Sequence, residues 1–203
     1  MRKGILIVAL VGLLAGCSSG ETDTSSPSPT SAPPSSTASS SAGQTASPPT
    51  AAQVSWAGTV CSDTSTLKTD VQGLATAAAT GGDQVGTAVS DQMATIQTSA
   101  GALVDTVKSP PENLGDDPEL IKVQDAVSTV NSSLAALQAS AGKVQGTTGA
   151  ALVDALATVV GDTGTVLSDI ATMVQTITTA TQDTASTLGQ AFRAAPACAT
   201  LTA

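Results

Sequence analysis

From Val54 onward, apolar residues recur every three or four positions. Val60, Thr64, Leu67, Val71, Leu74 and Ala78 share one face of a helix at that spacing. A second stripe runs through Val85, Val89, Met93, Ile96, Ala100, Leu103 and Val107. The third is the most regular: Leu120, Val123, Val127, Val130, Leu134, Leu137, Ala141 and Val144 alternate steps of three and four throughout. The fourth runs Leu152, Leu156, Val159, Thr163, Val166, Ile170, Met173 and Ile177, with Leu188 and Phe192 further on. No segment sustains the two-residue alternation of a half-buried strand, so helices alone are predicted.

The joints agree with this division. Gly81-Gly82-Asp83 separates the first two helices, with Asp83 as the expected N-cap. Ser109-Pro110-Pro111 stops the second, because proline lacks a donor and disfavours helix before it. Asp117-Pro118-Glu119 reads as N-cap, N1 and N2 of the third. Gly146-Thr147-Thr148 ends the third and caps the fourth, and Pro196 lies just past the last helix. Four amphipathic helices on short loops make an all-α fold, expected here as an up-down-up-down four-helix bundle over 54–203. Gly161-Asp162-Thr163-Gly164 interrupts the fourth pattern, so five helices are the alternative.

Upstream of the stripes the chain changes character twice. Residues 17–53 are dominated by Ser, Thr, Pro and Ala without apolar periodicity. Such a segment cannot bury enough surface to offset its ordering entropy and is expected to be a disordered tether. Its reach is roughly 30 Å as a coil and about 110 Å if drawn into polyproline II. Before it, Met1-Arg2-Lys3 is cationic and Gly4 to Leu14 is apolar. Eleven residues make a helix of roughly 16 Å, about half of a hydrocarbon core, which suits a signal peptide over 1–16 and not a retained span.

That segment ends Leu14-Ala15-Gly16-Cys17, which resembles the lipobox of bacterial lipoprotein precursors. The resemblance covers only the N-terminus, and its motif combines order, position and the preceding apolar run. It implies that the Cys17 thiol receives a diacylglyceryl group and that the Gly16–Cys17 bond is cleaved. The alternative is an ordinary secretory signal with an incidental cysteine. Each buried CH₂ adds about 0.8 kcal/mol, so two or three acyl chains anchor firmly. The implied location is the extracytoplasmic face of the cell membrane.

Charge and cysteine count sharpen the picture. Seven basic and 16 acidic residues give a net charge of −9. Clustered Lys and Arg for a nucleic-acid backbone are missing, so no nucleic acid is expected as a partner. The richness in Ala, Thr, Val and Gly fits a high-GC genome such as an actinobacterium's. With Cys17 assigned to lipid, Cys61 and Cys198 remain in an oxidising exported setting where disulfides persist. The four-helix topology brings the start of the first helix and the end of the last to one end, where these two cysteines lie. A Cys61–Cys198 disulfide is therefore expected, two buried free thiols being the alternative.

Catalytic chemistry finds little purchase. The chain has no histidine, which removes the Ser-His-Asp and Cys-His arrangements and every imidazole metal ligand. Cys61 and Cys198 lack the Cys-x-x-Cys spacing of a redox couple. The acidic run from Glu112 to Asp117 departs from the calcium-loop pattern, and Asp117 is already occupied as a cap. Asp63 with Asp70, and Asp162 with Asp169, repeat at seven residues and read as a solvated helix face. No catalytic residue, metal or cofactor is expected. Trp56-Ala57-Gly58 resembles the W-x-G signature of small secreted helical-hairpin proteins of actinobacteria. Here it opens the domain instead of filling a turn, so packing is expected of Trp56.

These features favour a non-enzymatic, membrane-anchored module for protein interaction, envelope structure or scaffolding, its partner an envelope or extracellular protein. The alternative is a carrier holding an apolar small molecule or lipid between its helices. The heptad-like stripes also resemble those of coiled-coil receptor stalks, and self-association through a residual stripe is a further expectation.

Overall fold

A computed structural model describes residues 47–79 and 82–201. The signal segment, the Leu14–Cys17 motif and most of the tether lie outside the described residues. Six helices follow in order: α1 (Ala51–Ala79), α2 (Val85–Lys108), α3 (Pro118–Gly142), α4 (Gly149–Gln182), α5 (Thr187–Ala194) and α6 (Pro196–Leu201), with a 3₁₀ turn, Gly82–Gln84, leading into α2. No strand occurs among the described residues.

The first helix starts three residues before Val54. Thr50 and Gln53 form a capping box: the Gln53 N–H donates to Thr50 Oγ1 at 3.3 Å, and the Thr50 N–H donates to Gln53 Oε1 at 2.8 Å. The Gln53 amide also donates to the Glu112 carbonyl at 3.2 Å, which ties the helix start to the α2–α3 loop. The domain therefore includes residues assigned from sequence to the tether. Asp117 caps α3 as expected, its carboxylate accepting the Glu119 N–H at 2.9 Å with Pro118 at N1. Asp83, in contrast, lies within the 3₁₀ turn, and Gln84 stands at the cap of α2 without a side-chain bond. Thr148 occupies the cap of α4, also without one.

The fourth helix is continuous for 34 residues. Gly161 and Gly164 do not break it, because Val159, Thr163, Val166 and Ile170 between and around them are buried and fix that stretch against the core. The interruption comes at Asp183, whose Oδ1 accepts the N–H groups of Ala185 and Ser186. Ser186 then caps α5 by accepting the Gly189 N–H at 3.1 Å. A Cβ on Gly189 would stand 2.3 Å from the Ala180 carbonyl oxygen and 2.4 Å from that of Asp183, so only glycine lets α5 fold back this closely. Pro196 begins α6 instead of following the last helix, since its missing N–H costs little at N1.

The stripes read from sequence form the core. Every member of the second and third is buried; in the first, Ala78 is only partly covered, and in the fourth, Leu152 and Leu156. Two polar members, Thr64 and Thr163, are buried and return their hydroxyls to the carbonyls of Val60 and Val159, each at 2.7 Å. α1 packs chiefly on α2 and α3 chiefly on α4, while the α1–α4 and α2–α3 seams are sparser. α5 and α6 lie against α1, with α5 also touching α4.

Candidate functional site

Cys61 and Cys198 are joined in a disulfide, with Cα atoms 5.1 Å apart, which ties α1 to α6. Trp56 and Phe192, the only aromatics of the chain, sit beside it with ring centroids 6.0 Å apart. The Trp56 indole N–H donates to the Thr106 carbonyl at 2.7 Å, so its polar edge is satisfied and its face is buried. The structure thus gives Trp56-Ala57-Gly58 a packing role: Ala57 is fully buried and the motif lies on a helix. Gly16 and Cys17, the cleavage and lipidation residues, lie outside the described residues.

The acidic residues differ from their sequence reading. Asp63 accepts from the Thr106 hydroxyl at 2.9 Å, and Asp70 accepts from the Ser99 hydroxyl, both across the α1–α2 seam. The Gln92 amide adds a bond to the Asp70 carbonyl at 2.7 Å. As residue numbers rise along α1 they fall along α2, so the pair is antiparallel. Asp169 accepts from the Ser133 hydroxyl across the α3–α4 seam. Three of the four carboxylates are therefore seam fasteners and not a solvated stripe.

A signal for this was present in the chain. Asp63-Thr64-Ser65-Thr66-Leu67-Lys68-Thr69-Asp70-Val71 is echoed by Asp162-Thr163-Gly164-Thr165-Val166-Leu167-Ser168-Asp169-Ile170. The helices that receive them echo each other too: Thr95-Ile96-Gln97-Thr98-Ser99 matches Thr129-Val130-Asn131-Ser132-Ser133. Each hairpin thus carries one buried threonine and one Asp–Ser fastener at corresponding positions.

The acidic loop from Glu112 to Asp117 is a structural corner. Asp117 spends one oxygen on the α3 cap; the other accepts from the Ser186 hydroxyl at 2.8 Å and the Leu188 N–H at 3.4 Å, so one carboxylate holds two helix starts. Leu114, fully buried, anchors the loop, and Asn113 turns it with φ 66°. Among the described residues, no group of three or more His, Cys, Asp or Glu is placed to hold a metal ion.

What remains for recognition is surface. Val153 and Val160 are 66% and 54% exposed and lie seven residues apart on α4, with exposed Ala150 and Ala157 on the same face. By length and composition α4 is also apolar enough to cross a membrane, although its inner stripe is packed in the core. A second feature is a groove along the α2–α3 seam, built from four adjoining hollows of about 320 to 350 Å³. The chain matches no family model, no curated protein and no solved structure.

Proposed function

We propose that the chain is an exported lipoprotein whose helices form an up-down-up-down bundle working as a non-enzymatic interaction module. The observation that carries the reading is cysteine pairing. With Cys61 bonded to Cys198, Cys17 is the one cysteine left over, and it stands in Leu14-Ala15-Gly16-Cys17 behind a cationic and then apolar start. A disulfide persists in an oxidising compartment, which accords with export. The antiparallel run of α1 against α2 and the sparser α1–α4 and α2–α3 seams support the bundle topology.

In this reading the acyl chains on Cys17 hold the protein at the extracytoplasmic face of the membrane, and 17–46 carries the domain outward. The tether joins at the start of α1; the exposed apolar face of α4 lies toward the other end, about 40 Å along the length of α1. An exposed apolar face of this kind suits an envelope or extracellular protein as partner.

The test is Cys17→Ser. Wild-type protein should fractionate with membranes and carry acyl mass, and the variant should lose both while keeping its helical circular dichroism. A variant that stays in the membrane as processed chain overturns the reading.

A further inference from the structure

Of the two uncovered surfaces, the α2–α3 groove has an internal order that α4 lacks. On α3 and the turn that follows it, Gln124, Asn131, Gln138 and Gln145 recur every seven residues, and Ser128, Ala135 and Gly142 alternate with them. All seven line the hollows or stand between lining residues. Opposite them on α2 are Ser90, Gln97, Gly101 and Val104, with Asp91 at one mouth of the groove and Lys108 at the other. The floor is closed: Met93, Ile96, Val127 and Leu134 are buried. At one end of the seam, just past α3, the Gln145 amide donates to the Ser90 hydroxyl at 3.0 Å. The surface offered is thus shallow, rich in carboxamides and free of charge between its ends.

We propose that this face is a twofold self-association surface, its occupant a second copy of the same chain lying antiparallel. Three observations converge. First, a carboxamide is both donor and acceptor, so a ladder of them is satisfied by its own copy. Turning α3 about a point between Leu134 and Ala135 sets Asn131 against the second copy's Gln138, Gln124 against its Gln145, and Ser128 at the level of its Ala141 and Gly142. Amide meets amide, and small residue meets small residue. Second, the same rotation treats α2 alike, because Ala100 and Gly101 line the groove beside Leu134 and Ala135. It brings Asp91 of each copy to within two residues of the level of the other's Lys108, so opposite charges approach at both ends. A Cβ on Gly101 or Gly142 would meet nothing within 4 Å, so backbones can approach there. Third, the rest of the domain repels its copies: after Ser47 the chain carries five basic against fourteen acidic residues.

The area separates the two candidate faces. From Gln124 to Gln145 the groove runs about 32 Å, and two helices 8–10 Å apart present a face roughly 20 Å wide. That is roughly 600 Å² per copy, or about 1,200 Å² in all, at the lower bound of specific interfaces. A single exposed helix such as α4 offers about half as much. An interface of this size is expected to be weak in dilute solution and favoured between copies tethered to one membrane, where effective concentration is high.

Sedimentation velocity of the chain from Ser18 to Ala203, over a micromolar concentration series at low salt, tests the proposal. A monomer–dimer equilibrium is expected. Ala135→Glu, which sets two like charges face to face on an exposed helix position, should abolish the dimer without altering thermal unfolding. Asp91→Lys and Lys108→Asp should each weaken dimerisation severalfold, and the two together should restore it. Val153→Glu on α4 should leave it unchanged. A chain that stays monomeric throughout the series, forms open-ended oligomers, or loses its dimer through Val153→Glu but not Ala135→Glu overturns the proposal.

Discussion

The two ends of the domain are built from different materials. Where α1 begins, Trp56, Phe192 and Leu188 are buried, the Cys61–Cys198 bridge ties α1 to α6, and the Asp117 carboxylate holds the starts of α3 and α5. Where α4 begins, the side chains are Ala78, Val85, Val144, Leu152 and Leu156, three of them only partly covered, and neither α2 nor α4 has a side-chain cap. The first end concentrates long-range ties and large rings. The second relies on helix propensity and small aliphatics, and there Val153 and Val160 remain exposed. The contrast teaches that apolar surface is covered unevenly: the pinned end is closed by rings and long-range ties, and the other end leaves Val153 and Val160 uncovered.

The largest effect should come from the pinned end. Phe192→Ala, at a fully buried ring beside Trp56, is expected to cost about 3–5 kcal/mol. Leu156→Ala, half-covered at the other end, should cost well under half of that. Chemical denaturation of both variants measures the pair, and equal losses would erase the contrast.

Reduction of the disulfide comes next. A bridge across 137 positions restricts the unfolded chain strongly, and its loss is expected to cost about 2–5 kcal/mol. Cys61→Ser/Cys198→Ser should lower the unfolding midpoint accordingly, and protection from hydrogen exchange should fall first in α5 and α6. Uniform loss along the chain would show that the bridge does not act locally.

Two glycine substitutions give the smaller effects, with opposite signs. Gly189→Ala forces a methyl group against the carbonyls of Ala180 and Asp183 and should destabilise by about 1–3 kcal/mol. Gly161→Ala meets no neighbour within 4 Å and should stabilise α4 by about 1 kcal/mol. At this domain size 1 kcal/mol moves the melting temperature by about 2–4 °C, within reach of calorimetry. If both substitutions shifted it the same way, the close approach of α5 to the end of α4 would be in doubt.

Much of this architecture is legible in the chain because helical periodicity is local. The buried face of α2 follows its stripe residue for residue and that of α3 adds only Ser140 to it, and Asp117-Pro118 marks a helix start through chemistry confined to four residues. The misreadings arise where a local pattern competes with a distant partner. Leu188 and Phe192 continue the spacing of α4, yet Asp183 and Ser186 terminate and restart the helix by taking backbone N–H groups. Gly161 and Gly164 look like a break, but burial of the residues around them overrides propensity. Asp63, Asp70 and Asp169 resemble a solvated stripe because the hydroxyls that receive them, on Thr106, Ser99 and Ser133, lie 29 to 43 residues away in sequence. Thr50-Ala51-Ala52-Gln53 was readable as a capping box, hidden only by the Ser/Thr/Pro composition before it.

The most direct test of the account is the intact mass of the protein extracted from membranes, taken before and after reduction with a thiol-alkylating reagent present. The expected result is a chain beginning at Cys17 with its acyl groups attached, in which two alkylated thiols, those of Cys61 and Cys198, emerge only after reduction. An acyl-free chain, or alkylation of those two cysteines without any reductant, would contradict it.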